Sequence, residues 1–188
     1  MSLNNQLKDQ FLLSMPHLQS DYFGGSLIYL CEHSDEGAMG LVVNKGSDLN
    51  FTEILEQLEI EPRIPSLDGV PVFAGGPVNT DRGFLLHGPA AGEWKSTLKL
   101  RDNLYLSTSI DILEALARGE GPKDYLIALG YSGWGPGQLE DELGRNLWLS
   151  CPANLDILFA TDPEQRLTAA AKQLGIDINL LSDQAGHA

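Results

Sequence analysis

The chain is poor in cysteine and contains no long apolar run. Its two cysteines, Cys31 and Cys151, lie far apart and form no C-x-x-C pair, which argues against a disulfide framework or a zinc site and fits a reducing compartment. No segment approaches the roughly 18 consecutive apolar residues of a membrane span. The opening residues, MSLNNQLKDQ, lack the apolar core of a secretory signal. We therefore expect a cytoplasmic protein without a membrane segment.

Basic side chains are also scarce. The sequence has 12 lysines and arginines against 26 aspartates and glutamates, a formal net charge of −14. The densest basic group is only Lys95, Lys99 and Arg101. A nucleic-acid binder needs a clustered positive surface that displaces counterions from phosphates. Direct binding to DNA is therefore disfavoured.

The 188 residues suit one compact domain that spans 1–188. The first ordered element is expected over Phe11–Met15, and apolar runs and alternation predict strands over Ser26–His33, Ala38–Asn44, Val70–Ala74, Gly83–His87, Thr97–Leu100, Leu104–Ser107, Tyr125–Leu129, Leu147–Cys151 and Leu155–Phe159. Caps and helical spacing predict helices over Phe51–Leu58, Ile110–Ala117, Gln138–Leu143 and Pro163–Leu174. Strands that are grouped, rather than alternating with helices, favour an α+β fold.

Two glycine-rich segments are the best candidates for a functional surface. The segment Gly130–Trp148 follows the apolar run Tyr125–Leu129. It is predicted to begin as a loop with four glycines and a proline and to continue as a short acidic helix and a strand. Gly75–Gly83 is predicted to be a second loop, with Asp81 and Arg82 at its tip. Glycine at this density marks backbone that adopts positive φ or approaches another segment closely.

Neither segment contains a complete catalytic or phosphate-binding motif. The run Gly130–Trp134 resembles the G-x-S-x-G nucleophile turn around Ser132, but Trp134 stands where the last glycine is required. The glycine-rich phosphate-loop patterns are not met. The helix that opens at Gln138 offers N–H groups to an anion, although the acidic side chains of its first turn already satisfy the helix dipole.

Other residues with chemical potential allow alternative interpretations. Glu32–Glu36 carries three carboxylates and His33, which fits a solvated hairpin turn, or a metal site if His17 or His87 converges on it. Cys151 ends an apolar strand, where a semi-exposed thiol near a cation would be oxidisable, whereas burial would make it an inert core residue. Cys31, inside an apolar run, is expected in the core.

Three blocks of the sequence closely resemble the YqgE/AlgH family of bacterial proteins. They are Ser26–Lys45, Val72–His87 and Gly130–Leu143, and the run Phe11–Leu18 fits as well. The resemblance implies an α+β fold in which a bifurcated, mostly antiparallel sheet forms a pseudo-barrel with helices packed outside. It also implies a link to transcriptional regulation, without a settled biochemical activity or known catalytic residues. The positions that match form a candidate binding surface: Glu32, His33, Gly75, Gly76, Asp81, Arg82, Gly83, Gly130, Gly133, Trp134 and Gln138.

Three functions remain open at this point. The first is a non-enzymatic regulatory or binding module that contacts a protein or a small ligand and uses no cofactor or metal. The second is an enzyme or redox-responsive protein that uses Cys151, near Trp148 and Arg145. The third is a direct DNA reader. The first depends on the expectation that the glycine-rich bends let separate segments meet in one shared recognition face.

Overall fold

The computed structural model describes residues 7–16 and 22–180. The strands are β1 Gln10–Ser14, β2 Leu27–Ser34, β3 Gly37–Val42, β4 Gly46–Asn50, β5 Pro71–Ala74, β6 Val78–His87, β7 Thr97–Arg101, β8 Leu104–Ser107, β9 Tyr125–Trp134 and β10 Trp148–Pro152. The α-helices are α1 Phe51–Gln57, α2 Ile110–Ala117, α3 Gln138–Gly144, α4 Leu155–Phe159 and α5 Arg166–Gln173. His17 and part of the predicted link Leu18–Gly25 lie outside the described residues.

The strands form one curled sheet that divides at β9. Its main path runs β10-β1-β2-β3-β9-β6-β8-β7, and neighbours along this path are antiparallel. One edge of β9 pairs with β6, while the other pairs with β5 in parallel at Ile127–Leu129 and with β3 at Ser132–Trp134. The β4–β5 pair therefore leaves the sheet as a separate branch. This half-barrel with helices around it confirms the predicted α+β, bifurcated and mostly antiparallel architecture.

Alternation along the strands distributes the apolar side chains between two faces of the sheet. In β2, Leu27 and Tyr29 enter the main core, whereas Ile28 and Leu30 enter a second cluster beneath Leu139 of α3. The main core is closed by Leu158 of α4 and by the small side chains of α5. A third cluster packs α1 and α2 against β5, β6 and β9.

Several predicted elements are confirmed. The β2–β3 hairpin and the antiparallel β7–β8 pair are present. Helix α1 begins as expected after Asn50, whose side chain accepts from the Glu53 N–H while the Glu53 carboxylate accepts from the Asn50 N–H. This reciprocal capping box satisfies two N–H groups that would otherwise lack partners.

Other predictions were wrong at the level of secondary structure. Leu155–Phe159 is helix α4, capped by the Asn154 side chain on the Asp156 N–H, and not a strand. A short apolar run does not distinguish a strand from a buried helix. The predicted last helix Pro163–Leu174 begins with a 3₁₀ turn, Pro163–Gln165, and is α-helical only over Arg166–Gln173. Strand β4 was not predicted.

A groove at the branch point of the sheet

Gly75, Gly76 and Gly130 bring the second and third sequence blocks into backbone contact. The Gly75 N–H donates to the Leu129 carbonyl at 2.8 Å. A Cβ at Gly76 would overlap the backbone carbonyl of Tyr131, and a Cβ at Gly130 (φ 75°) would overlap the carbonyl of Gly76. Only glycine permits this approach. The expectation that the glycines let these segments meet is therefore confirmed.

The same junction corrects the prediction of a loop at Gly130–Trp134. These residues continue strand β9, which gains a new partner, β3, just beyond Gly130. Ser132 is fully buried, and its hydroxyl donates to the Gly75 carbonyl at 3.1 Å, beside the Val42 N–H at 2.9 Å. Ser132 is thus a buried hydrogen-bond donor within a strand at the branch, which agrees with the incomplete match of Gly130–Trp134 to the nucleophile turn.

Residues 79–82 form a bulge within β6. Val78 pairs with Tyr131 and Gly83 pairs with Leu129, so that the intervening residues face Gly130 alone. Asp81 and Arg82 are exposed on this bulge within strand β6. The prediction that they lie at the tip of a loop was therefore wrong. Bulges of this kind redirect side chains at the edges of functional surfaces. Here Asp81 borders one cavity and Arg82 borders another.

The cavity beside Arg82 is a groove of about 640 Å³ to which all three sequence blocks contribute. It lies on the same face of the sheet as the main core, because Phe84 and Leu106 belong to that core and Met39 packs against it. The residues that give it chemical character are Glu32 and Met39 from the first block, Arg82 and Phe84 from the second, and Tyr131 and Gly133 from the third.

The groove combines one cation, an aromatic pair and two carboxylates. The Arg82 guanidinium lies over the Phe84 ring at 5.2 Å, and Phe84 meets the Tyr131 ring edge-on at 5.8 Å. Within the described residues, no carboxylate lies at ion-pair distance from Arg82. Glu32 and Glu36 are exposed and also line the groove. Such a surface can hold an apolar side chain between groups of opposite charge.

Three other candidate residues support the groove without presenting side chains to it. The His33 ring is buried and its Nε2 pairs with the Glu140 carboxylate, which fastens β2 to α3. The Gln138 side chain accepts from the Gly135 N–H at 3.0 Å and orders the turn before α3. Trp134 lines the groove, but its ring is buried against Phe23 and Trp148 on the face of α3.

The position of Glu140 in the first turn of α3 explains why the pKa of its carboxyl group is shifted. The Glu140 backbone N–H, followed by the His33 imidazole, lowers the pKa of the Glu140 carboxyl. The first turn of α3 therefore already holds negative charge from its own side chains, as the sequence predicted, and an external anion would have to compete with it.

Asp81 belongs to a different cavity, of about 490 Å³, on the opposite side of β6. Its walls are mainly aliphatic and come from α1, α2 and β9. The predicted candidate set is thus divided between two places: Glu32, Arg82, Gly133 and Trp134 meet in the groove, whereas Asp81 does not join them.

The two thiols lack the environment of reactive cysteines. Cys151 is 1% exposed, where its thiol approaches the Ala170 carbonyl and accepts from the Gln173 amide at 3.6 Å. Burial raises the pKa of the Cys151 thiol and, more strongly, that of Cys31. Both thiols remain protonated at neutral pH, and a protonated thiol is a poor nucleophile. Of the two interpretations of Cys151, the structure supports the buried core thiol and not the semi-exposed one, and the core position of Cys31 is confirmed.

The remaining sequence hypotheses concern metals and membranes. Among residues 7–16 and 22–180, no three histidine, cysteine, aspartate or glutamate side chains are grouped so that they would bind a metal ion. The hypothesis that His87 joins Glu32–Glu36 in a metal site is not supported. The His87 ring contacts Tyr105 and Trp94, and Trp94 packs against the apolar cluster of α1 and α2. None of the helices in the described part of the chain has the length and apolar character needed to cross a bilayer.

Sequence reasoning missed the aromatic and apolar part of the groove. Phe84, Tyr131 and Met39 were not singled out, because each resembles an ordinary core residue. The signal that could have found Tyr131 is alternation: once β9 continues as a strand, Tyr131 and Gly133 share one face and Ser132 and Trp134 the other.

The family of the chain follows from comparison with known sequences. The model of the AlgH-like family matches residues 11–179. The chain belongs to the AlgH-like family. A UPF0301 protein of Thioalkalivibrio sulfidiphilus is 51% identical over 188 residues and covers 100% of both chains. A UPF0301 protein of Nitrosospira multiformis is 50% identical over 182 residues and covers 97% of each.

Two solved structures share the fold. The solution structure of AlgH from Pseudomonas aeruginosa superposes with a TM-score of 0.79 at 49% identity, over 100% of this chain and 98% of that one. A crystal structure of a Corynebacterium diphtheriae protein gives a TM-score of 0.73 at 20% identity, over 97% and 94% of the chains. At 20% identity, the second comparison shows that the fold is shared.

Proposed function

We propose that this AlgH-like protein is a cytoplasmic regulatory module that acts on transcription indirectly, by binding a segment of a partner protein in the groove. The groove itself performs no chemistry and uses neither a cofactor nor a metal. One observation carries the proposal: Glu32, Arg82 and Tyr131, which come from three separate sequence blocks, line a single groove at the branch of the sheet.

The lining residues define the partner segment. An apolar or aromatic side chain would lie on Phe84, Tyr131 and Met39, where its burial displaces water. A carboxylate of the segment would bind the Arg82 guanidinium, which has no acidic partner among the described residues. A basic side chain would face Glu32 and Glu36. The net charge of −14 would attract a partner with a basic surface from a distance.

The residues that line the groove favour binding over catalysis. Among the lining residues that the structure describes there is no cysteine or histidine, and the charged ones lie on a rim around aromatic and aliphatic surface. A central aromatic contact surrounded by charged groups is typical of surfaces that bind proteins. The Cys151 hypothesis loses its geometric basis, because that thiol is buried and remains protonated.

Affinity capture from a lysate at physiological salt, with three matched variants, tests this proposal. Arg82→Glu reverses the charge of the groove, Tyr131→Ala removes its aromatic wall, and Arg63→Glu makes the same charge change at an exposed site elsewhere. We expect the wild type and Arg63→Glu to retain the same partner, and the two groove variants to lose at least about tenfold in its recovery. Equal recovery by all four proteins, or no protein above background, would count against the groove.

A further inference from the structure

We propose that Ser107 and His87 form a second site, a serine–histidine pair that transfers the acyl group of an ester held in the 490 Å³ cavity on the opposite side of β6 from the groove. The proposal goes beyond the binding function of the groove and does not depend on it. Neither residue belongs to the candidate surface that the sequence identified.

The hydrogen bonds fix the roles of the two side chains. His87 Nδ1 lies 2.9 Å from the Gly88 carbonyl, and a carbonyl can only accept, so that Nδ1 carries the ring proton. Nε2 is then an acceptor, and the Ser107 hydroxyl, 2.8 Å away, donates to it. Thr97 Oγ1 lies 2.8 Å from Ser107 Oγ on its other side. A hydroxyl that donates to a base held by a third group is the arrangement of an activated nucleophile.

The surroundings of His87 keep the imidazole in its basic form. The ring stacks on Tyr105 and meets Trp94 edge-on, with 5.6 Å between centroids in each case. Burial, the largest influence, lowers the pKa of His87, which is only partly offset by the Gly88 carbonyl. The neutral ring is therefore available at neutral pH to take a proton from Ser107.

Ser107 stands at the end of a strand, just before a helix. It is the last residue of β8, and α2 begins at Ile110. In α/β-hydrolases the nucleophilic serine likewise lies between a strand and a helix. The Ser109 side chain donates to Asp111 and does not cap α2. The N–H groups of the first turn of α2 are the nearest in the sequence to Ser107, but the Asp111 carboxylate already accepts from that of Ile112. The oxyanion of an acyl intermediate would therefore compete with this carboxylate for them.

The cavity defines the class of ester. Ser107, Ser109 and Ile110 line it together with Leu85, which lies directly opposite Ser107 in the sheet. Most of the other walls are aliphatic, with Gln57, Thr80 and Thr108 as polar exceptions, and the exposed side chains of Leu58 and Ile110 stand at the edge of the cavity. Such walls suit an acyl chain. Asp81 also borders the cavity, which favours a neutral or cationic alcohol over a phosphorylated one.

The reaction consists of two acyl transfers. Ser107 Oγ forms a bond to the ester carbonyl carbon while its proton moves to His87 Nε2, and the bond from that carbon to the alcohol oxygen breaks as the alcohol takes the proton. Water then attacks the acyl-serine, passes a proton through His87 to Ser107 Oγ, and releases the carboxylic acid. Ester and water are the only reactants.

The test uses p-nitrophenyl esters of four, eight and twelve carbons and a fluorophosphonate probe, on the full-length protein. We expect release of p-nitrophenol above the buffer rate and probe attachment to the peptide that contains Ser107. Ser107→Ala should abolish both, and His87→Gln should lower the rate at least about 100-fold. Ser96→Ala, which removes an exposed hydroxyl from the same sheet edge, should leave both unchanged.

Because Ser107 and His87 are buried, each variant is checked by thermal unfolding. If Ser107→Ala does not fold, Ser107→Cys, which nearly preserves the volume, replaces it, and alkylation of its thiol should depend on His87. The proposal fails if the folded wild type neither hydrolyses the esters nor takes up the probe. It also fails if the probe attaches to another residue, or if folded His87→Gln reacts as fast as the wild type.

Discussion

At the scale of single residues, the groove depends on backbone approaches that only an absent side chain permits. The Gly75 carbonyl accepts from the Val42 N–H and from the Ser132 hydroxyl, so that two strands and a turn meet at one oxygen atom. Gly76 lies against the backbone of Tyr131 at the same junction. Groove geometry and stability are therefore coupled at these positions.

Substitution of Gly76 should reveal that coupling. Gly76→Ala would place a methyl group on the Tyr131 carbonyl, and because backbone must move to accommodate it, we expect a loss of about 3 kcal/mol in the free energy of unfolding. Gly83→Ala is the matched control, since its Cβ would meet nothing within 4 Å, and it should be neutral or stabilising by up to about 1 kcal/mol. Urea unfolding measures both. Equal stabilities would show that the junction tolerates a side chain.

The buried imidazole of His87 gives a pH dependence of known sign. Its pKa is lower in the folded protein than its ordinary value of 6.5, so that the unfolded chain binds the proton first as the pH falls. The contribution of His87 to stability is complete above pH 6.5 and is lost progressively toward the lower folded-state pKa. Urea unfolding at pH 7.5, 6.5 and 5.5 should show a steeper decline for the wild type than for His87→Gln. Parallel profiles would contradict this assignment.

At the scale of elements, β9 decides the architecture because it changes partners along its length. Its first half contacts β5 and β6, and its second half contacts β3. The apolar run Tyr125–Leu129 could be predicted as a strand because its pattern is local. The continuation through Gly130–Trp134 could not, since its glycines suggest a loop until the strands that bond to them are known.

The dependence of some elements on contacts between distant segments also explains the other errors and omissions. The hairpin β2–β3 and the capping box of α1 follow from neighbouring residues and were predictable. The helical state of Leu155–Phe159 depends on packing against α5, as its contacts with the main core indicate. Within the groove, Arg82 and Glu32 were identified by the sequence blocks in which they occur, whereas Tyr131 was missed because an aromatic residue after an apolar run resembles a core residue.

Arg166 connects three elements and was also invisible to sequence patterns. It is 4% exposed and donates to the carbonyls of Val43, Ile157 and Thr161, with its guanidinium 5.1 Å from the Phe73 ring. Burial lowers its pKa to about 10, so the side chain remains charged at neutral pH. The planar Arg166 guanidinium, with several N–H donors, thus holds α4 and α5 against the end of β3.

Replacement of Arg166 by lysine should show whether stability requires the geometry of the guanidinium N–H donors or only the positive charge. A single ammonium cannot reproduce bonds to three carbonyls in this geometry, and unpaired buried carbonyls are costly, so Arg166→Lys should lose about 2–4 kcal/mol of unfolding free energy. Arg145→Lys is the control, since Arg145 makes only an exposed ion pair with Asp141 and should change stability by less than about 0.5 kcal/mol. Indistinguishable urea midpoints would contradict the role given to Arg166.

At the scale of the whole molecule, the charge distribution separates an indirect regulator from a DNA reader. The net charge is −14, and the groove itself carries Glu32 and Glu36 beside one arginine. A duplex approaching this surface meets repulsion at long range and little compensation at contact. A basic protein surface meets attraction over the same distances, which favours a protein over DNA as the partner in the proposed function.

Titration of a fluorescent 30-base-pair duplex provides the corresponding measurement. At about 150 mM salt we expect no saturable change in polarisation up to micromolar protein, because 12 basic residues scattered along a sequence with 26 acidic ones release few of the counterions that drive such binding. Lowering the salt should not produce the steep gain in affinity that multiple phosphate contacts give. The opposite result, a saturable isotherm whose midpoint moves strongly with salt and is weakened by Arg82→Glu, would make the groove a nucleic-acid site. It would also replace the proposed protein partner with DNA as the direct target of this AlgH-like protein.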